Sequence, residues 1–385
     1  MSEHTESADV AIVGGGIVGL ACAWRARLQG LSVTLLERDR VGQGTSHVAA
    51  GMLAPVSEVE FGTAGRRVLE LGLRSAEMWP GFARELEASA GTSVGLLQTG
   101  TLVLARDEDE ARELERGLAF RRSLGLRAER LRASEARERE PGLAPTVRLA
   151  IDSPDDHSVD PRLVLAALRR ACESAGVLIR EHAPVESVLL EDSGERVTGL
   201  LLGGDERVRA ARVVLAAGAW TAQIGGLPPG AQAPVRPVKG QILRLRDPSG
   251  PGLLRRVVRF AGGYLVPRAD GDYVLGATVE ERGFDLSPTA GGVYELLRDA
   301  CELVPGIDEL RIEELSVGLR PGTPDNAPVI GHGALEGLVW ATGHHRNGIL
   351  LAPLTAELLL ATLLDESPGA LAEDCRPDRF QAVPA

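Results

Sequence analysis

Asp9-Val10-Ala11-Ile12-Val13 is a short apolar run that stops at glycines, the pattern of a strand buried on both faces of a parallel sheet. From Ile17 to Gln29, Ala and Leu recur at helical spacing, and Gly30 supplies the stop. Leu31 to Leu36 predicts the next strand, closed by Glu37. This strand–helix–strand order is the usual opening of a doubly wound sheet. Further on, Thr63 to Ala90 and Asp107 to Glu140 have helical spacing, with Gly100 to Leu104 a strand between them. Asp160 can cap a helix that carries Pro161 at its first position and an apolar stripe from Leu163 to Ala175. Val177 to Ile179 and Arg212 to Ala217 predict two more strands, the latter running into Gly218-Ala219-Trp220.

From Gln241 to Val279 the period shortens to that of strands with tight turns. Tyr264 to Arg268 and Tyr273 to Gly276 flank Ala269-Asp270-Gly271-Asp272 as a β-hairpin. Gly337 to Thr342 is the last strand, and Ile349 to Leu364 a long apolar helix. Parallel-sheet signals near both ends, separated by antiparallel ones, predict a nucleotide domain interrupted by a second domain. The length of 385 residues points the same way, because single cores stop growing at roughly 250–300 residues.

Composition removes several function classes. The chain is 44% hydrophobic and 25% charged, within the range of globular proteins. A net charge of -12, with arginines interleaved among glutamates, disfavours a nucleic-acid partner. No apolar run approaches the ~20 residues of a membrane helix. The polar, acidic stretch Met1 to Ala8 lacks the apolar segment of a signal peptide, so a cytoplasmic location is expected. Cys22, Cys172, Cys301 and Cys375 are scattered and predict neither disulfides nor a zinc site. His344 and His345 have no third ligand at useful spacing, and no metal is expected.

Gly14-Gly15-Gly16-Ile17-Val18-Gly19 contains G-x-G-x-x-G between a strand and a helix, the context that makes the motif meaningful. Gly14 permits the tight turn, Gly16 lets a pyrophosphate approach the backbone, and Gly19 allows the helix to pack on the strand. The helix N-terminus then meets the phosphates, and Glu37 can accept hydrogen bonds from ribose hydroxyls. The loop does not separate FAD from NAD. A second small-residue segment, Gly42 to Leu53, and a third, Trp340 to Leu350 leading into the last helix, could together enclose one extended ligand, which suits FAD.

Ala49-Ala50-Gly51-Met52-Leu53, Pro237-Val238-Lys239-Gly240-Gln241, Tyr264 to Arg268, Gly318-Leu319-Arg320-Pro321-Gly322-Thr323 and Gly343 to Pro353 resemble the glycine oxidases of thiamine biosynthesis, within the D-amino-acid oxidase family. The resemblance covers nearly the whole chain. It implies an α/β fold (α+β overall) in which an FAD-binding Rossmann-like domain, residues 1–85, 150–222 and 322–385, interleaves with an antiparallel-sheet substrate domain, residues 86–149 and 223–321. By the same resemblance Ile17, Val18, Glu37, Arg38, Thr45, Ser46, Ala50, Gly51, Met52, Val185, His344, His345, Arg346, Asn347, Gly348, Ile349 and Leu350 contact FAD. Arg320 and Arg346 bind the substrate carboxylate, and Tyr264 helps to close the site. No cysteine falls in the stretch Gly318 to Asn326, where covalent-flavin relatives carry one, so the FAD is expected to be non-covalent.

The expected reaction is oxidation of a small amino acid, glycine foremost, to its imine and then to glyoxylate and ammonia. Molecular oxygen is the expected acceptor, and homo-oligomerisation is possible. Hydride transfer to a flavin needs no protein acid or base, so the arginines are expected to position rather than to exchange protons. The residues leave open oxidation of sarcosine, proline or D-amino acids, or a dehydrogenase using another acceptor. Lys239 reads as part of a turn leading into a strand rather than as an oxygen-activating cation.

Overall fold

A computed structural model describes residues 7–380; residues 1–6 of the polar N-terminal stretch and residues 381–385 lie outside that range. Val10, Ala11 and Ile12 have no exposed surface, because Ser7–Val13 lies inside a mixed sheet between Arg207–Leu215 and Val33–Leu36, parallel to both. Leu178–Arg180 extends the parallel set on one side and Leu338–Thr342 on the other. Val329–His332 and the hairpin Val185–Leu190/Val197–Leu202 complete this sheet in antiparallel sense. Helices Ile17–Leu28, Thr63–Ala90, Pro161–Ala175 and Ala352–Leu363 pack together over one face.

The second sheet runs in the order Arg311–Gly322, Arg236–Arg246, Asp272–Gly276, Gly263–Pro267, Val257–Phe260, Thr101–Ala105, Leu149–Ser153, Glu129–Arg132. All neighbours are antiparallel except Val257–Phe260 and Thr101–Ala105. Leu243, Leu245 and Leu275 pack with Leu296 and Ala300 of helix Ala290–Leu303. Ile242, Val266 and Val274 pack instead with Ala50, Val48 and Met52. The fold is therefore α/β with an antiparallel second sheet, as the pattern predicts.

Some expected elements change. The single helical stretch from Asp107 to Glu140 resolves into Glu108–Ser123, a strand Glu129–Arg132 and a short helix Ala133–Arg139. Gly125, at φ 74, adopts the left-handed conformation that ends the first helix. The last helix starts at Ala352 rather than Ile349, because the preceding residues are used in a turn. Lys239 sits within the strand Arg236–Arg246, not in a turn before it.

That turn is tied to the core. The Leu350 carbonyl accepts hydrogen bonds from Ser75 Oγ at 2.6 Å and Trp79 Nε1 at 2.9 Å, both on the helix Thr63–Ala90. Trp79 in turn meets Phe82 edge to face, and Phe82 meets Trp24 of the first helix in the same way. Because either donor alone satisfies the carbonyl, Ser75→Ala and Trp79→Phe each cost about 1 kcal/mol of hydrogen-bond stabilisation. The double variant leaves a buried carbonyl bare and loses more than the sum of the two. Urea unfolding of the four proteins measures that coupling, and simple additivity would show that Leu350 finds another donor.

Candidate active site

Parallel strands that end on the same side deliver their following loops to one place, and an elongated cavity of about 560 Å³ lies there, between the two sheets. At one end the backbone is packed too closely for side chains. A Cβ on Gly14, which has φ 110, would lie 2.5 Å from the Ala216 carbonyl oxygen, and one on Gly19 would lie 1.9 Å from that of Gly14. Helix Ile17–Leu28 starts after Gly16 with no side-chain cap and no acidic residue in its first turn. Its positive end is therefore available to an anion. Ser46 Oγ accepts from the Ile17 N–H at 3.1 Å. The Glu37 carboxylate receives the Gly15 N–H at 2.7 Å and the Asp39 N–H at 3.0 Å. Each oxygen keeps a second lone pair, so Glu37 can still accept from a ligand hydroxyl. Beside it the Arg38 guanidinium stacks 3.9 Å above the Trp220 ring.

The middle of the cavity is walled by the segment after the second strand. Thr45 Oγ1 donates to the Leu319 carbonyl at 2.9 Å and accepts its N–H at 3.2 Å, joining this segment to the second sheet. Gly51, at φ 78, turns the chain where a Cβ would meet the Val159 carbonyl at 2.1 Å. Arg268 Nη2 donates to the Ala50 carbonyl at 2.7 Å.

The far end is cationic. Arg320 Nη1 donates to the backbone carbonyls of Thr278 at 3.0 Å and Lys239 at 3.3 Å, and the guanidinium faces Tyr264. Gly240 provides the room: a Cβ there would lie 2.5 Å from both terminal nitrogens of Arg320. Burial holds the Arg320 pKa below the usual arginine value and raises that of the Tyr264 hydroxyl. The His345 N–H donates to the Pro321 carbonyl at 2.9 Å, which brings Arg346 alongside Arg320. Arg346 is exposed at the cavity edge, with Glu60 3.9 Å away. His344 is buried and shares a 2.9 Å hydrogen bond with Thr355.

Most of the expected residues line this cavity: Gly14, Gly16, Ile17, Val18, Glu37, Arg38, Thr45, Ser46, Ala50, Gly51, Met52, Val185, Tyr264, Arg320, His344, His345, Arg346, Gly348 and Ile349. Gly19, Asn347 and Leu350 are not in the lining. Gly19 is consumed in helix–strand packing, the Asn347 backbone makes the turn from His344 to Leu351, and the Leu350 carbonyl faces Ser75 and Trp79. The lining also includes Glu58, Trp220, Ile242 and Leu286, which were not expected there, and Gly240, expected only as part of the segment Pro237 to Gln241. Of these, Trp220 carried a signal as the large residue at a glycine-rich strand exit, and Gly240 as part of a family-like segment. Among the described residues no group of three or more His, Cys, Asp or Glu side chains is placed to hold a metal.

The two-sheet fold, with a cavity that has an open helix N-terminus at one end and an arginine without an ion-pair partner at the other, is that of a flavoprotein oxidoreductase. The chain belongs to the family described as FAD dependent oxidoreductase (DAO), whose model matches residues 9–362, and its cofactor is FAD. It is 38% identical over 368 residues to a glycine oxidase of Geobacillus kaustophilus, covering 95% of each chain. The crystal structure of glycine oxidase from that organism superposes with a TM-score of 0.90 at 35% identity, over 98% of this chain and 100% of the other. The bifunctional protein ThiO/ThiG of Synechocystis is 38% identical over 379 residues, 97% of this chain but 54% of that protein. The chain thus spans about half the length of that bifunctional relative.

Two expectations follow from the site alone. Glu37→Ala removes the acceptor for two backbone N–H groups at the glycine loop, so FAD affinity falls by roughly tenfold or more; titration of apoprotein with FAD, followed by flavin fluorescence, reads the change. His345 is pushed down to about 3, by burial first and then by Arg346, Arg320 and Arg236. Unfolding lets this ring take up a proton below 6.5 that the fold refuses, so the unfolded state binds more protons and the contribution destabilises the fold as pH falls from 6.5 towards 3. In apoprotein unfolded at a series of pH values, His345→Asn therefore loses less stability on acidification than the parent. Parallel curves would show that the ring is solvated.

Proposed function

We propose that the protein is a flavin-dependent oxidase of small amino acids, with glycine as the principal substrate. The observation that carries this reading is the state of Arg320: partly buried, hydrogen-bonded to neutral carbonyls, and forming no ion pair among the described residues. An arginine held this way keeps its charge for an incoming carboxylate, which it can grip with parallel charge-assisted hydrogen bonds. Glycine is favoured by the relatives, since proteins named glycine oxidase match nearly the whole chain.

In this reading Arg320 and Arg346 hold the substrate carboxylate and Tyr264 covers it. Gly14, Gly16, Ile17, Val18, Glu37, Arg38, Thr45, Ser46, Ala50, Gly51, Met52, Val185, His344, His345, Gly348 and Ile349 form the FAD cradle. Bound FAD supplies the hydride acceptor. The protein fixes the substrate Cα by its carboxylate, keeps bulk water from the apolar wall around Ile242 and Met52, and leaves the neutral amine lone pair to drive loss of hydride. The amine cation gives up one proton to water before hydride leaves Cα, and neutral His345 adds no positive charge that would repel it on arrival. Water then converts the imine to glyoxylate and ammonia, and oxygen is reduced to hydrogen peroxide.

The FAD is held without a cysteine linkage, since none of the four cysteines lines the cavity. The protein works in the cytoplasm, and no described helix is long and apolar enough to cross a membrane. The imine can be delivered to thiazole assembly in thiamine synthesis, a role consistent with the ThiO/ThiG relative. Residues 1–85, 150–222 and 322–385 act as the FAD domain and the rest as the substrate domain, except that the strand Leu149–Ser153 belongs to the second sheet, where it pairs with Thr101–Ala105 and Glu129–Arg132.

Anaerobic mixing with glycine, sarcosine, D-alanine and D-proline, followed at the flavin absorbance maximum, tests the assignment. Glycine bleaches the flavin fastest, and Arg320→Ala weakens glycine binding by roughly thirtyfold or more. Gly240→Ala, which pushes a methyl against the guanidinium, raises the glycine concentration needed for half-maximal reduction while FAD stays bound. Bleaching only by a bulkier amine would move the substrate assignment within the same mechanism, and no bleaching by any of the four would refute it.

A further inference from the structure

Strand Arg236–Arg246 has two faces with different duties. Gly240 and Ile242 line the cavity, whereas Lys239 and Gln241, fully buried, point the other way. What they meet is the segment 277–289, which links strand Asp272–Gly276 to helix Ala290–Leu303 and is exposed at every residue from 281 to 289. So exposed a segment has little apolar burial to hold its shape, and its order must come from polar anchors.

Those anchors converge on the two buried side chains. Lys239 Nζ donates to Asp285 Oδ2 at 2.8 Å and to the Ser287 carbonyl at 2.6 Å, with Glu280 Oε2 3.8 Å away. Gln241 Nε2 donates to Glu280 Oε1 at 2.7 Å and Thr289 Oγ1 at 2.9 Å, while its Oε1 accepts the Thr289 N–H at 2.8 Å. The Lys239 and Glu280 backbones also exchange hydrogen bonds at 2.9 and 3.0 Å. The Lys239 ammonium holds the Asp285 carboxyl down to about 2.

The segment held this way runs along the cavity. Near its start, the Thr278 carbonyl fixes Arg320 Nη1. Further along, Leu286 lines the cavity while remaining half exposed, and the Phe284 ring lies 6.0 Å from Trp220, which itself stacks on Arg38 at the opposite end. Chain composition adds an independent argument. Of the 42 lysine and arginine residues only Lys239 is lysine. A compact ammonium can point its donors at a carboxylate and a carbonyl inside a closed space, where a planar guanidinium needs more room.

We propose that Lys239 is a positioning residue whose buried ammonium latches the segment 277–289 as a strap along the cavity, and that the latched strap retains FAD. This rests on FAD filling the cavity, and not on the identity of the amine, because every readout below is taken without substrate. It gives Lys239 a role outside the redox step: its side chain does not reach the cavity lining.

The test compares holoenzyme with Lys239→Met, Asp285→Asn and Phe284→Ala. Asp285 and Phe284 are exposed, so replacing them spares the core even where Lys239→Met folds poorly. FAD release is followed by the rise in flavin fluorescence on dilution, and strap opening by tryptic cleavage after Arg282, with the Arg282–Gly283 cut identified by mass. Lys239→Met and Asp285→Asn are expected to release FAD about tenfold faster, the loss of a charged hydrogen bond, and to be cut faster at Arg282. Phe284→Ala is expected to release FAD faster. Parental release rates in Asp285→Asn and Phe284→Ala would overturn the proposal. So would faster release from Lys239→Met without faster cleavage, since Lys239 would then act only through the core.

Discussion

The cavity depends on how closely three stretches of backbone approach one another at Gly14 and Gly19. The strand Ser7–Val13 lies between two parallel neighbours, and the helix that follows must begin directly over their ends. Gly19 sits against the Gly14 carbonyl and Gly14 against Ala216, with no space for a Cβ at either contact. Because that approach is permitted, the helix axis points its uncapped N-terminus at the C-terminal edge of the sheet. The same edge receives Glu37 from the second strand, Ala216 to Gly218 from Arg207–Leu215, and Gly343-His344 from Leu338–Thr342. A larger residue at Gly19 would tilt the helix away, and the dipole, the carboxylate and the two loops would no longer face one ligand.

The other end of the cavity follows a different logic. Register in the long pair Arg236–Arg246/Arg311–Gly322 sets Val238 opposite Arg320 and Gly240 opposite Gly318. Gly240 leaves room for the guanidinium, and Gly318 allows the second sheet to rest on Thr45 and Val48. The cation is then stabilised by carbonyl dipoles instead of a carboxylate. Nearby acids are engaged elsewhere: Glu58 lies 3.3 Å from Arg259, and Glu60 is at the exposed rim. A buried charge with only dipolar partners costs stability, and arrangements of that kind mark sites where a ligand completes the pairing. One sheet thus supplies a positive helix end and the other a positive side chain, so both ends of the cavity carry positive potential.

How much of this was readable from sequence depends on the distance over which each feature is decided. The glycine loop, the first helix, Glu37 and the helix from Pro161 are decided within a few residues, by turn chemistry, capping and apolar period, and the structure has them where the pattern placed them. The break at Gly125 was hidden because the residues on both sides keep helical charge spacing, while a left-handed glycine and pairing of Glu129–Arg132 with Leu149–Ser153 decide the matter. The strand Arg311–Gly322 is exposed along its first residues, which blurs its alternation, and its partner is distant in sequence, with Arg246 set opposite Arg311 and Arg236 opposite Gly322. Lys239 was misplaced for the same reason: pairing on both sides of Arg236–Arg246, with strands distant in the chain, makes it a strand residue. Trp220, on the short helix Gly218–Gln223, and Glu58 and Leu286, on two separate loops, reach the cavity through contacts such as the Arg38 stack or the Lys239 anchor that no local pattern encodes. Chemistry carried by backbone conformation is therefore visible early, and chemistry carried by side chains that meet across the two sheets appears only once the sheets are paired.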